Sequence, residues 1–193
     1  MRHLVLMAKA PRIGRVKSRL AKDIGQVGAW AFQRRTLFDV ARKLKDDRWR
    51  CWLSVTPDRS RFEPRMWPKG WTLISQGDGD LGDRMLRPWL DLPPGPVVIV
   101  GSDIPDITAT HIAAAFEALG ENDLVFGPAT DGGYWLVGAK RRPCPINPFA
   151  GVRWSSEHAL NDTIANVPVG AKIGFIETLS DVDDEADLKR GAL

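Results

Sequence analysis

Short apolar runs recur along the chain, each closed by glycine, proline or polar residues: HLVLMA (3–8), CWLSVT (51–56), WTLIS (71–75), PVVIVG (96–101), DLVFG (123–127), YWLVG (134–138) and KIGFIE (172–177). Their length, β-branched content and flanking breakers predict strands. Between several of them, apolar residues return at helical spacing: WAFQRRTLFDVARKL from Trp30, GDRMLRPWLDL from Gly82, THIAAAFEAL from Thr110 and SSEHALNDTIANV from Ser155. Thr108 and Ser155 are placed to cap the last two. Strands alternating with helices predict an α/β domain with a largely parallel sheet. DLVFG and YWLVG, separated only by PATDGG, can pair antiparallel. No repeat, low-complexity stretch or linker interrupts the pattern, and the proline-rich pieces LPPGP and RRPCPINP are loop-sized, so residues 1–193 are expected to form a single domain.

In sheets of this kind ligands sit beyond the carboxyl ends of the strands. The residues that follow the apolar runs are therefore the ones to read for chemistry. The first run leads into KAPRIGRVKSRL, where Lys9, Arg12, Arg15, Lys17, Arg19 and Lys22 crowd into one loop and a helix start. Pro11 and Gly14 shape a turn there, and backbone N–H groups together with lysine and arginine can cradle phosphates. It is not a Walker A loop, because Gly14 is separated from Lys17 and Ser18 by Arg15 and Val16. The plain alternative is a solvated basic helix start with Arg19 paired to a nearby acid.

Asp103, in VVIVGSDIP, can ligate a hard cation such as Mg²⁺ at a strand end. It can also cap the next helix, although Asp106 and Thr108 are better placed for that. Asp131 in ATDGGYWL serves a ligand or simply the D-G turn. Asp181 and Asp183 in LSDVDDEADL complete a divalent-cation site or cap a final helix.

Composition narrows the partners. The formal net charge is +3 with a sequence pI near 9.0, and acids follow the basic loop quickly in DGDLGD and DVDDEAD. The basic patch is thus local, and a general nucleic-acid coat is excluded. Cys51 and Cys144 form no metal pattern, and no run is long enough for a signal peptide or membrane span, so a cytoplasmic protein with reduced thiols is expected. His3, His111 and His158 make no triad or metal spacing, and Ser18 lies in no nucleophile elbow. The 8 tryptophans are scattered rather than striped, and Trp135 and Trp154 fall nearest the suspected loops.

Taken in order, Lys9-x-Pro11-x-x-Gly14-x-x-Lys17-Ser18-Arg19-Leu20, Gly79-Asp80-Leu81-Gly82-x-Arg84-Met85, GSDIPD, GPATDGGYWLVG, RWSS and DVDDEADL resemble a bacterial family of glycosyltransferase-like proteins. That family belongs with the nucleotide-diphospho-sugar transferase superfamily of the GT-A fold and is similar to phospholactate guanylyltransferases and molybdopterin nucleotidyltransferases. The resemblance spans nearly the whole chain and implies a Rossmann-like three-layer α/β/α sandwich with a mostly parallel mixed sheet.

It further implies that Lys9, Pro11, Gly14, Lys17 and Arg19 hold nucleotide phosphates and that Gly79 and Gly82 border the base. Asp131, Gly132 and Gly133 would face the acceptor, and Lys17, Asp103 and Asp131 would carry the chemistry. Asp103, with Asp181 and Asp183, would bind Mg²⁺ or Mn²⁺. Asp184 and Ala186 depart from the threonine and proline expected in the final motif. The implied activity is transfer from a nucleotide or nucleotide sugar to a small-molecule acceptor: glycosyl transfer first, nucleotidyl transfer with pyrophosphate release as the alternative, and a non-catalytic nucleotide-binding role as a third reading.

Overall fold

The strands expected from the apolar runs are formed in the computed structural model, which describes residues 1–180. They are β1 (His3–Lys9), β2 (Arg50–Thr56), β3 (Thr72–Ser75), β4 (Val97–Gly101), β5 (Leu124–Pro128), β6 (Tyr134–Ala139) and β7 (Ile173–Phe175). All join one seven-stranded sheet in the order β3-β2-β1-β4-β6-β5-β7. β1 is parallel to β2 and β4, β2 to β3, and β5 to β7, whereas β6 runs antiparallel to both β4 and β5. The hairpin expected at PATDGG is therefore present, and its return strand inserts between β4 and β5.

Among the described residues, four α-helices cover the two faces: α1 (Leu20–Lys43), α2 (Leu81–Asp91), α3 (Ala109–Ala118) and α4 (Ala159–Ala165). Strand alternation sends Leu4, Leu6, Val98 and Val100 into one layer with Leu37 and Val40 of α1 and Ile112 and Phe116 of α3. Val5, Val97 and Ile99 point the other way, onto Met85 and Trp89 of α2, with Leu160 and Ile164 of α4 packed alongside. A central strand buried on both faces has to be apolar at nearly every position, which is why HLVL and VVIV read as continuous runs. Each fully buried Leu, Val or Ile here contributes roughly 1.5–3 kcal/mol before chain entropy is charged against it.

Helix starts depart from the sequence pattern in two places. α1 begins at Leu20 instead of Trp30, and it is broken at Gly25, whose φ of 78° and ψ of 162° are not helical. Gly25 and Gly28 dilute the apolar periodicity that would have marked its first turns. α4 begins at Ala159 behind His158, not at Ser155. Ser155 sits at φ 57°, and the Ser156 hydroxyl donates to the Arg153 carbonyl at 2.6 Å, so both serines are spent on the turn that precedes the helix. Thr108 caps α3 as expected, in a reciprocal capping box with His111. No helix among the described residues is long and apolar enough to cross a membrane.

The topology fixes where a ligand can bind. From β1 the chain moves outward to β2 and β3, then returns to β4 on the other side of β1. Loops leaving β1 and β4 diverge, and a crevice opens between them at the carboxyl edge of the sheet. β5 ends at that same edge, and β6, being reversed, begins there.

Candidate functional site

The loop after β1 is held by its own backbone. Ala10 N–H donates to Thr56 O at 2.7 Å, Arg12 N–H to Ala10 O at 2.8 Å and Arg15 N–H to Arg12 O at 3.0 Å. Trp30 Nε1 donates to the Pro11 carbonyl at 2.7 Å, and Arg12 pairs with Glu63 at 2.5 Å. Gly14 turns the chain at φ 72°, where a β-carbon would stand 3.3 Å from Gln26 Oε1. Pro11 and Gly14 thus shape the loop from outside the crevice, while Lys9, Lys17 and Arg19 line it.

Lys17 is the innermost of these cations. Its side chain is only 8% exposed, and Nζ lies 3.2 Å from Oδ2 of Asp103, which is 41% exposed. A lysine from the β1 loop and an aspartate from the end of β4 therefore meet across the switch point. Asp103 is not a helix cap, since Thr108 takes that place in front of α3. Because the Lys17 side chain is nearly covered, solvent and salt screen this pair less than an ordinary surface pair.

Two adjoining cavities flank this pair. The first, about 410 Å³, lies between the cationic loop, Gln33 of α1, Gln76 after β3, and Asp103. The second, about 440 Å³, is walled by Asp131, Tyr134, Trp135, Trp154 and Ser155. Met7, Arg19, Leu81, Gly101 and Asp103 line both, so the wall that the lobes share carries a cation and a carboxylate.

Segment 76–82 reaches the first lobe through Gln76 and Leu81. Gly79 and Gly82 do not line either lobe, and both are closely packed. A β-carbon on Gly79 would lie 2.3 Å from Asp83 Oδ2, and one on Gly82 would lie 2.7 Å from Phe149 Cβ and 2.9 Å from Trp154 Cζ2. Arg84 donates to Gly79 O at 3.1 Å, Arg87 to the carbonyls of Gln76 and Asp78, and Asp58 accepts from Gly77 N–H at 3.0 Å. Asp80 and Asp83 close a capping box at the start of α2. The segment is a rigid wall.

The second lobe is built at the β5–β6 hairpin and the segment before α4. Asp131 accepts from Gly133 N–H at 2.9 Å, the Asx turn that D-G predicts, and its carboxylate also borders the cavity. Gly132, at φ 87°, packs where a β-carbon would be 2.3 Å from Glu157 O. Arg153 clamps α4 through two bonds of 2.8 Å to Asp162, an arrangement that holds the Asp162 carboxyl well below the usual range. Between these fixed points, burial pushes the Tyr134 hydroxyl pKa up and keeps it protonated. The Trp154 indole N–H is covered and has no hydrogen-bond partner among the described residues.

Asp103 fits a divalent ion that arrives with a nucleotide. Mg²⁺ usually takes one or two carboxylates plus substrate phosphates, and Asp103 presents one carboxylate at the cleft beside the cations. No group of three or more His, Cys, Asp or Glu residues able to hold a metal occurs among the described residues. Asp181 and Asp183 lie outside them. Reading the sequence by strand ends reached Lys17, Asp103 and Asp131. It passed over Gln76, although Gln76 directly follows WTLIS, and over Gln33, for which a helix-interior glutamine gives no signal.

The chain resembles several known structures over almost its full length. A protein from Desulfovibrio desulfuricans G20 that carries the provisional name nucleotide-diphospho-sugar transferase matches at 25% identity and a TM-score of 0.83, over 97% of this chain and 84% of that one. CMP:2-keto-3-deoxy-manno-octonic acid synthetase complexed with CTP shares the fold at 13% identity and TM-score 0.59, covering 98% and 96%. Rv0371c from Mycobacterium tuberculosis H37Rv, complexed with manganese, does so at 16% identity and TM-score 0.54, covering 98% and 96%. No curated protein matches the sequence. The architecture is the α/β fold of the nucleotide-diphospho-sugar transferases, and since the model of the family described as "uncharacterized protein conserved in bacteria (DUF2064)" matches residues 39–156, more than half of its length, the chain belongs to that family.

Proposed function

We propose that the protein is a transferase that takes a nucleotide-activated donor in the first lobe and a small acceptor in the second, and that the group transferred is a sugar. The observation that carries this is the shared wall: Arg19 and Asp103 line both lobes, so a bond between donor and acceptor would be made and broken beside them. The aromatic lining of the second lobe by Tyr134, Trp135 and Trp154 suits the apolar face of a sugar ring. The name carried by the Desulfovibrio relative agrees with this reading.

In the reaction, an acceptor oxygen attacks the anomeric carbon, the bond from that carbon to the phosphate oxygen breaks, and a nucleoside diphosphate leaves. Lys17, with Lys9 and Arg19, offsets the charge that grows on the departing diphosphate. Asp131 lies on the acceptor side and takes the proton of the attacking hydroxyl. Asp103 would hold Mg²⁺ or Mn²⁺, which supplies Lewis-acid stabilisation of the diphosphate. Tyr134 stays neutral, its buried hydroxyl 3.5 Å from Thr163 Oγ1, and offers the lobe its ring instead of a base.

Nucleotidyl transfer is the second reading, favoured by the number of cations on the first lobe and by the CTP complex of the synthetase that shares the fold. There the acceptor attacks the α-phosphorus, and pyrophosphate leaves. A thermal-shift screen of nucleoside triphosphates and nucleotide sugars with Mg²⁺ or Mn²⁺ identifies the donor. Chromatography of its products then separates the two reactions. Released nucleoside diphosphate supports glycosyl transfer; pyrophosphate from a triphosphate overturns it in favour of nucleotidyl transfer.

A further inference from the structure

The first lobe holds two nearly buried glutamines. Gln33 is 6% and Gln76 is 5% exposed, and both line the cavity. Buried amides are almost always hydrogen-bonded within the protein. Gln33 has no side-chain hydrogen bond among the described residues, and its amide is not closed off from solvent, so its polar atoms open into the cavity. Gln76 is fixed in one orientation, because its Nε2 donates to Ser54 O at 2.9 Å and to Ala8 O at 3.4 Å. With its donors engaged by strand ends, what it has left to offer is Oε1, an acceptor that is neither bonded nor sealed off.

On the reading that this lobe holds a nucleotide, we infer that Gln33 and Gln76 read the edge of its base and set which nucleotide is accepted. The chemistry divides within the one cavity. Lys9, Lys17 and Arg19 suit phosphates, the apolar side chains of Ala8 and Val16 suit the faces of a flat ring, and the two amides suit its hydrogen-bonding edge. Gln76 can only accept, so the base must turn an N–H toward it. Gln33 keeps both donor and acceptor capacity and completes the match. A base that places an acceptor against Gln76 Oε1 leaves two buried acceptors facing each other, a penalty that makes hydrogen-bond readout discriminating.

The test measures equilibrium binding of ATP, GTP, CTP and UTP, each with Mg²⁺, beside inorganic tripolyphosphate with Mg²⁺. Wild-type protein is expected to prefer one base by more than about tenfold. Gln33→Met keeps volume and touches no hydrogen bond of the fold. It is expected to shrink that preference to within a few-fold while tripolyphosphate binding stays unchanged. Gln76→Met should do the same, and because it also releases two backbone carbonyls, its folding is checked by circular dichroism. Gln33→Met with undiminished base preference overturns the inference and leaves the nucleotide reading intact, as does wild-type protein that binds all four nucleotides equally. If neither nucleotides nor tripolyphosphate bind, both the inference and the nucleotide reading fall.

Discussion

The two lobes of the cleft share a wall but are built on different plans. The first draws on chain segments far apart in sequence: the loop after β1, α1, Gln76 after β3, and Asp103 after β4. Its polar side chains include cations, two amides and the Asp103 carboxylate. About half of the second's lining comes from two stretches, the β5–β6 hairpin and the segment 154–159, which bring its aromatic side chains Tyr134, Trp135 and Trp154; the rest comes from β1, the loop after it, α2 and β4 with its following loop. Sheet topology forces the first arrangement, because residues meet at a switch point only when strands adjacent in space are distant in sequence. The part of the second lobe that it does not share with the first owes its position largely to a local turn. Damage to the first should therefore appear in binding, and damage to the second in stability or in acceptor use.

Lys17→Ala tests the first lobe and should give the largest effect. Loss of one charge-assisted contact, worth roughly 1.5–3 kcal/mol, should weaken binding of the preferred nucleotide by about one to two decades, read by calorimetric titration. Binding equal to wild type would make the loop a structural element and erase the contrast between the lobes. Asp103→Ala sharpens the same point: the folded variant should bind nucleotide equally with and without Mg²⁺.

Gly132→Ala tests the second lobe. Its φ of 87° and a β-carbon 2.3 Å from Glu157 O leave no room for a methyl group, and stability should fall by about 1–3 kcal/mol in denaturant titration. Nucleotide affinity of the protein that remains folded should not change. A parallel loss of nucleotide affinity would show that the hairpin supports the first lobe as well.

His3 and Asp162 give smaller effects. Burial lowers the His3 pKa from its usual 6.5, so the folded state resists protonating it while the unfolded chain does not. Stability that is complete above pH 6.5 should decline as pH drops from there toward the lowered value. His3→Leu should flatten that part of the profile. His3 lies at the amino end of β1, away from the cleft, so nucleotide binding by the variant serves as a control on both lobes. Asp162→Asn, which loosens the Arg153 clamp on an exposed surface, should change stability least of all and alter only acceptor use.

What was legible in the sequence followed from periodicity and strand ends. HLVLMA, PVVIVG and the hairpin pair announce themselves through burial on one or both faces, and once they are strands, Lys17, Asp103 and Asp131 inherit places at one edge. The first turns of α1 were not legible, because two glycines interrupt the apolar repeat. Gly79 and Gly82 could be noticed but not explained. Their role depends on Asp83, Phe149 and Trp154, and for Gly82 those neighbours come from far along the chain. Gln33 was silent for a related reason: a glutamine among QRRT reads as a solvent face until the crevice over α1 is seen.

The reversal of β6 has a consequence for how such a protein can diversify. Because that strand begins at the cleft edge, the tip from 129 to 133 is a short surface connection between paired strands, and its residues enter the second lobe without passing through the sheet interior. Exchange of this tip, or insertion into it, would change what is accepted while leaving the donor machinery of β1 and β4 in register. On the proposed reading, the hairpin tip would be a graftable part of the acceptor lobe, whereas donor choice would be embedded in the scaffold, and variants selected for new acceptors should accumulate their substitutions at the hairpin first.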